Sequence, residues 1–125
     1  MWLSILAIFF GAGFGALLRA GFNVLTVSAA SVIPLGTLLS NMVGGYLVGL
    51  AVAYFGNNPQ LSPEWKLLVV TGFLGGLTTF SSFSAEVIML MQRDQMLAAL
   101  GLAAMHVGGS LLLAFLGMWT FQAFK

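Results

Sequence analysis

Four long apolar blocks, parted by three short polar interruptions, make up almost the whole chain. The blocks run from Trp2 to Phe22, Ile33 to Phe55, Trp65 to Met91 and Met96 to Phe124. Each matches or exceeds the roughly 20 apolar residues that a membrane-crossing helix needs. The first interruption is polar, from Asn23 to Ser31. The second, Gly56-Asn57-Asn58-Pro59-Gln60-Leu61-Ser62-Pro63-Glu64, carries two prolines and reads as a surface loop. The third, Gln92-Arg93-Asp94-Gln95, is a tight turn. The pattern predicts an all-α membrane protein, one four-span domain over residues 1–125.

Composition narrows the function classes. The chain is 60% hydrophobic and 6% charged, with a net charge of +1, so no length remains for a soluble catalytic domain. There is no phosphate-binding Gly-Lys-Ser/Thr loop, no dinucleotide fingerprint and no basic run, which argues against nucleotide and nucleic-acid partners. Cysteine is absent, removing disulfides, thiolate metal sites and cysteine nucleophiles. Met1-Trp2-Leu3 lacks a positive stretch ahead of the apolar block, so the first block is expected to be a mature span rather than a cleaved signal. Ser110, His106 and Glu86 exist, but no nucleophile elbow or metal pair frames them, and an enzyme is not expected. His106 has no second metal ligand at helical spacing.

The charges give almost no orientation signal. Four spans place both termini on one side with Lys66 and Lys125; Arg19 and Arg93 fall on the other. Lys and Arg normally collect on the cytoplasmic side. The interfacial aromatics Trp2, Tyr54, Trp65 and Trp119 all fall at the side of the termini. An antiparallel pair of chains would supply aromatic belts at both interfaces; other residues such as Phe22 serving the second interface is the alternative. Gly11-x-x-x-Gly15, Gly45-x-x-x-Gly49, and Gly101 with Gly108-Gly109, predict close helix packing.

The third block is the unusual one. Gly72-Phe73-Leu74-Gly75-Gly76-Leu77-Thr78-Thr79-Phe80-Ser81-Ser82-Phe83-Ser84 places paired glycines and β-branched threonines at mid-span, where they make a weak helix. A break near Gly75 to Thr79 would free carbonyl groups suited to a small cation. An intact helix with Ser and Thr bonded to their own backbone is the alternative. Phe80 and Phe83 share a helix face and could present ring edges to an anion, or simply pack in the core; Ser81 and Ser84 form a second pair at the same spacing.

Other polar positions lie inside spans. Thr37 and Asn41 form a small polar face with Ser40, Gly44 and Gly45, and Asn41 has two amide hydrogens to donate. His106 and Ser110 form another. Such groups either hold helices together or line a wet path. Arg19 either snorkels to the interface or attracts anions. Glu86 lies deeper and is either functional or paired within the bundle.

These residues resemble a known family. Gly72 to Phe83 is similar to the signature of the small fluoride channels, the Fluc or CrcB family. Gly36-Thr37-Leu38-Leu39-Ser40-Asn41-Met42-Val43-Gly44 resembles its second-span motif, and Gly11-Ala12-Gly13-Phe14-Gly15-Ala16-Leu17-Leu18-Arg19 its first-span motif. The resemblance covers nearly the whole chain; His106 and the rest of the fourth span carry over least directly. It implies a multi-pass protein of the bacterial inner membrane that exports fluoride passively through two pores of an antiparallel homodimer. It implies Phe80 and Phe83 as pore phenylalanines, Asn41 as the pore asparagine and Thr37 and Ser110 on a polar track. Arg19 would then stand in a vestibule, Ser81 by the pore and Glu86 near one pore end. Gly75 and Thr78 would offer backbone carbonyls to a structural sodium ion (Na+) between protomers.

Two other functions fit a short four-span chain. A proton-coupled small multidrug transporter depends on a first-span acid, which is missing here. A non-transporting scaffold subunit would explain the glycines but not polar faces on three spans.

Overall fold

The computed structural model describes residues 1–27 and 34–125. Over these described residues it is helical throughout apart from short connections, with four helices long and apolar enough to cross a membrane: Trp2–Thr26, Leu35–Gly56, Pro63–Gln92 and Met96–Phe124. The first helix runs past the expected end at Phe22. Asn23 does not stop it, and Thr26 ties its hydroxyl back to the Phe22 carbonyl at 2.8 Å. The expected start of the second span at Ile33, and the end of the first polar stretch, lie outside the described residues.

Chemistry at the connections explains where the helices begin and end. The third span starts at Pro63, whose fixed φ and missing N–H suit a first helical position. Ser62 just before it hydrogen-bonds the Glu64 carboxylate. Gln92 ends the second half of that span. Asp94 then adopts φ 57°, a left-handed conformation that Asp tolerates better than most residues. Gln95 N–H donates to the Leu90 carbonyl at 2.9 Å and Asp94 N–H to the Met91 carbonyl at 3.1 Å. That pair of bonds closes the orphan carbonyls of the helix end.

Packing runs through small residues. The first span lies along the first half of the third, and the second span along the second half of the fourth. A Cβ on Gly15 would meet the Phe73 carbonyl, and one on Gly49 the Ala114 carbonyl, so glycine is what lets these backbones touch. The second half of the third span folds back on the start of the fourth, where Leu90, Ala99 and Leu102 form a buried cluster. Ala51, Leu74 and Leu77 form the other. Tyr54, Trp65 and Phe121 border one apolar cleft, which puts the end of the second span, the start of the third and the end of the fourth on the same side.

Two stretches wind wider than an α-helix. Leu67–Leu74 in the third span and Met105–Gly109 in the fourth are π-helical. The sequence carries no periodic signal for either. The gap expected over Gly75 to Thr79 is not present as drawn: Gly75–Leu77 are helical, and only residues 78–80 leave the helical backbone. Thr78 is extended, with φ −88° and ψ 158°.

Candidate functional site

At Thr78–Phe80 the third span faces the second and fourth, and Asn41 joins all three. Asn41 is buried, on the same face of its helix as Thr37. Its Oδ1 accepts from the Thr79 N–H at 2.8 Å, and its Nδ2 donates to the Thr79 carbonyl at 3.0 Å. Nδ2 also lies 2.8 Å from Nδ1 of buried His106 on the fourth span.

Following the N–H groups shows what this does to the third span. In a continuous α-helix Thr79 N–H would bond the Gly75 carbonyl and Ser82 N–H the Thr78 carbonyl. Here Thr79 N–H goes to Asn41, and Ser82 N–H goes to the Thr79 hydroxyl at 3.1 Å. Side chains have thus taken over the helical partners of the Gly75 and Thr78 carbonyls. Between them, the Gly76 carbonyl accepts from Arg19 Nε at 3.1 Å. The Thr78 hydroxyl donates to the Leu74 carbonyl at 2.8 Å.

A groove of about 340 Å³ opens along this junction. Asn41, Thr79, Phe80, Phe83, His106 and Ser110 line it, and among the described residues it has no acidic or basic side chain other than the imidazole. Phe80 and Phe83 meet edge to face, ring centres 5.6 Å apart. They differ sharply in burial: Phe83 is 8% exposed and Phe80 77%. Phe83 also lies over the His106 ring, centres 4.4 Å apart at 32°. A neighbouring groove of about 290 Å³ is bordered by Gly75, Thr78, Asn41 and Ser110, so the two grooves share the second- and fourth-span walls.

The remaining expected residues fall outside the groove. Thr37 donates to Glu86 Oε2 at 2.6 Å, one turn along the second span from Asn41. That bond accounts for one oxygen of the acid; Oε1 is buried without a hydrogen-bond partner among the described residues. Ser81 is exposed, its hydroxyl 3.2 Å from that of Thr79. Arg19 is partly buried against the third span rather than extended away from it. Sequence reasoning paired His106 with Ser110 as a polar face, and both line the groove; it did not place Thr79 there. The hydroxyl and imidazole in the break-and-span motifs were visible. Their convergence on Asn41, far away in sequence, was not.

Comparison with known proteins bears on this arrangement. Residues 6–118 match the model of a family described as CrcB-like protein, Camphor Resistance (CrcB). A protein of Polynucleobacter asymbioticus named "Fluoride-specific ion channel FluC" is 72% identical over 125 residues, covering 100% of both chains. A protein of the same name from Pseudomonas aeruginosa is 55% identical over 120 residues, 96% of this chain and 94% of the relative. Another from Cupriavidus metallidurans is 56% identical over 122 residues, 97% and 96% of the two.

Proposed function

The chain belongs to the CrcB family, and from that premise we propose that it is a fluoride-selective ion channel, not an enzyme, of the bacterial inner membrane. It gives fluoride a passive way out of the cytoplasm and so confers fluoride resistance. The observation that carries this reading is the 340 Å³ groove, where amide, hydroxyl, imidazole and phenyl groups converge with no acidic side chain among the described residues. Fluoride is small and strongly hydrated. A path for it must replace water with hydrogen-bond donors and must not hold the ion so tightly that it cannot leave. Ring edges add positive potential without a full charge.

The working unit is an antiparallel homodimer with two pores. Phe80 supports this: a large apolar ring at mid-span, 77% exposed in one protomer, gains a covering wall from a second copy. The even spread of Arg19, Lys66, Arg93 and Lys125 supports insertion in both directions. Gly75 and Thr78 would hold a structural sodium ion between the protomers. The donor set fits it, because Gly75 and Thr78 are among the residues around the break whose carbonyls have lost their helical N–H partners. Freed carbonyls are hard oxygen ligands of the kind that hold sodium in membrane proteins. Bound there, the cation supplies a fixed positive charge next to the anion path. The chain's own residues do the rest: Asn41 and Thr79 hold the unwound backbone, and Phe83 packs the groove wall against the fourth span.

The experiment is fluoride efflux from liposomes holding the purified chain, read with a fluoride electrode and no proton gradient. Rapid efflux, slowed when sodium is replaced by a large organic cation, is expected. Proton exchange driven by a drug cation, with no fluoride efflux, would point to the multidrug transporter instead. No leak of any kind would point to a scaffold subunit.

A further inference from the structure

Asn41 has no amide hydrogen left to give. Thr79 pins its orientation, with the backbone N–H facing Oδ1 at 2.8 Å and the carbonyl facing Nδ2 at 3.0 Å. Turning the amide end for end would set donor against donor and acceptor against acceptor, so backbone chemistry makes the assignment. The second hydrogen on Nδ2 then points to His106 Nδ1 at 2.8 Å. A nitrogen that only donates requires an acceptor, so Nδ1 carries the lone pair and the ring proton sits on Nε2. The Phe83 ring, stacked over the imidazole, holds its plane.

Nε2 is buried with no hydrogen-bond partner among the described residues, on a side chain 3% exposed that lines the groove. A buried N–H without an acceptor is unfavourable, and an acceptor-only anion relieves it. We propose that His106 Nε2–H, and not the Asn41 amide, is the donor presented to the anion. Asn41 is a positioning residue that holds His106 in the Nε2–H tautomer. The identity of the anion rests on the fluoride-channel reading; the tautomer lock rests on geometry alone.

The chain has a single histidine, so nitrogen-15 histidine labelling reports on His106 without assignment work. The full chain reconstituted in lipid is expected to show a pyridine-type Nδ1 and a pyrrole-type Nε2. Sodium fluoride is expected to move the Nε2 resonance, and sodium chloride to leave it in place. Asn41→Asp swaps the donor for a carboxylate oxygen, so the ring proton moves to Nδ1 and efflux falls about tenfold or more. His106→Leu removes the donor and lowers efflux by a similar factor. His106→Gln, which can both accept from Asn41 and donate onward, recovers a substantial part of it. A protonated Nδ1 in the unsubstituted chain, an Nε2 signal indifferent to fluoride, or full efflux through His106→Leu would overturn the proposal. A wild-type chain that passes no fluoride but shows the Nε2–H tautomer would overturn the channel reading and uphold the lock, so the two failures are separable.

Discussion

Thr79 N–H bonds Asn41 Oδ1 at 2.8 Å instead of the Gly75 carbonyl one turn back. A side chain on the second span thus completes the backbone of the third. Unpaired backbone groups at membrane depth are costly, so the non-helical residues 78–80 depend on a partner outside their own helix.

Asn41→Leu removes that partner from both the Thr79 N–H and its carbonyl. Stability is expected to fall by about 2–4 kcal/mol, the summed cost of two buried groups losing their bonds. Equilibrium unfolding in mixed micelles measures it. A loss below about 0.5 kcal/mol would show that the backbone rewinds freely and that Asn41 does not hold it.

Two glycines on one helix make a controlled pair. Gly15→Ala would drive a methyl into the Phe73 carbonyl, whereas Gly13→Ala meets nothing within 4 Å. The first is expected to cost about 1–3 kcal/mol through overpacking, and the second to change little or to stabilise slightly. Thermal melting of the two variants side by side tests this, and equal melting points would contradict the packing described between the first and third spans.

Arg19→Lys separates charge from geometry. Lysine keeps the positive charge but has no Nε–H fork to reach the Gly76 carbonyl at 3.1 Å. The variant is expected to lose about 1–2 kcal/mol of stability. Unfolding measured at low and high salt should show the same loss in both. A deficit that appears only at low salt would make Arg19 a source of charge rather than a brace.

Phe80 and Phe83 should respond differently to truncation. Phe83→Ala empties a buried position beside His106 and is expected to lower both stability, by about 2 kcal/mol or more, and fluoride efflux. Phe80→Ala, at a ring 77% exposed in the protomer, is expected to lower efflux while leaving the fold intact. Far-ultraviolet circular dichroism melts together with electrode-read efflux distinguish the two. Unchanged efflux in Phe80→Ala would remove the ring from the pathway.

Asp94 occupies the left-handed position of the turn between the third and fourth spans, with φ 57°. Asp94→Gly is expected to stabilise the chain by about 0.5–1 kcal/mol, since glycine adopts that conformation without a Cβ penalty. A melting temperature that falls would mean the Asp94 side chain itself stabilises the turn.

The sequence made the spans plain because apolar length is a one-dimensional signal: each hydrophobic block became a helix, and the Gln92–Gln95 turn marked a real end, although the third helix starts at Pro63, inside the stretch expected to be loop, rather than at Trp65. The polar face of Thr37 and Asn41 was equally legible from spacing. What each residue touches was not. Asn41 and Thr79 stand 38 positions apart, Arg19 and Gly76 57, and Thr37 and Glu86 49, so only folding joins them. The wide turns over Leu67–Leu74 and Met105–Gly109 escaped for another reason. In an almost uniformly apolar helix, a shift in winding leaves no change in the hydrophobic pattern.

The wide turn at Met105–Gly109 has a bearing on how this protein can change over generations. Such a turn holds one residue more than regular winding needs, so losing a single codon there need not snap the helix. The backbone would close up to regular winding, and because the wide turn spends its extra residue within about one revolution, the later side chains would keep nearly their present facing. Ser110 would still border the groove. A single deletion in this stretch that spares His106 should therefore be mild for insertion and assembly and for transport alike.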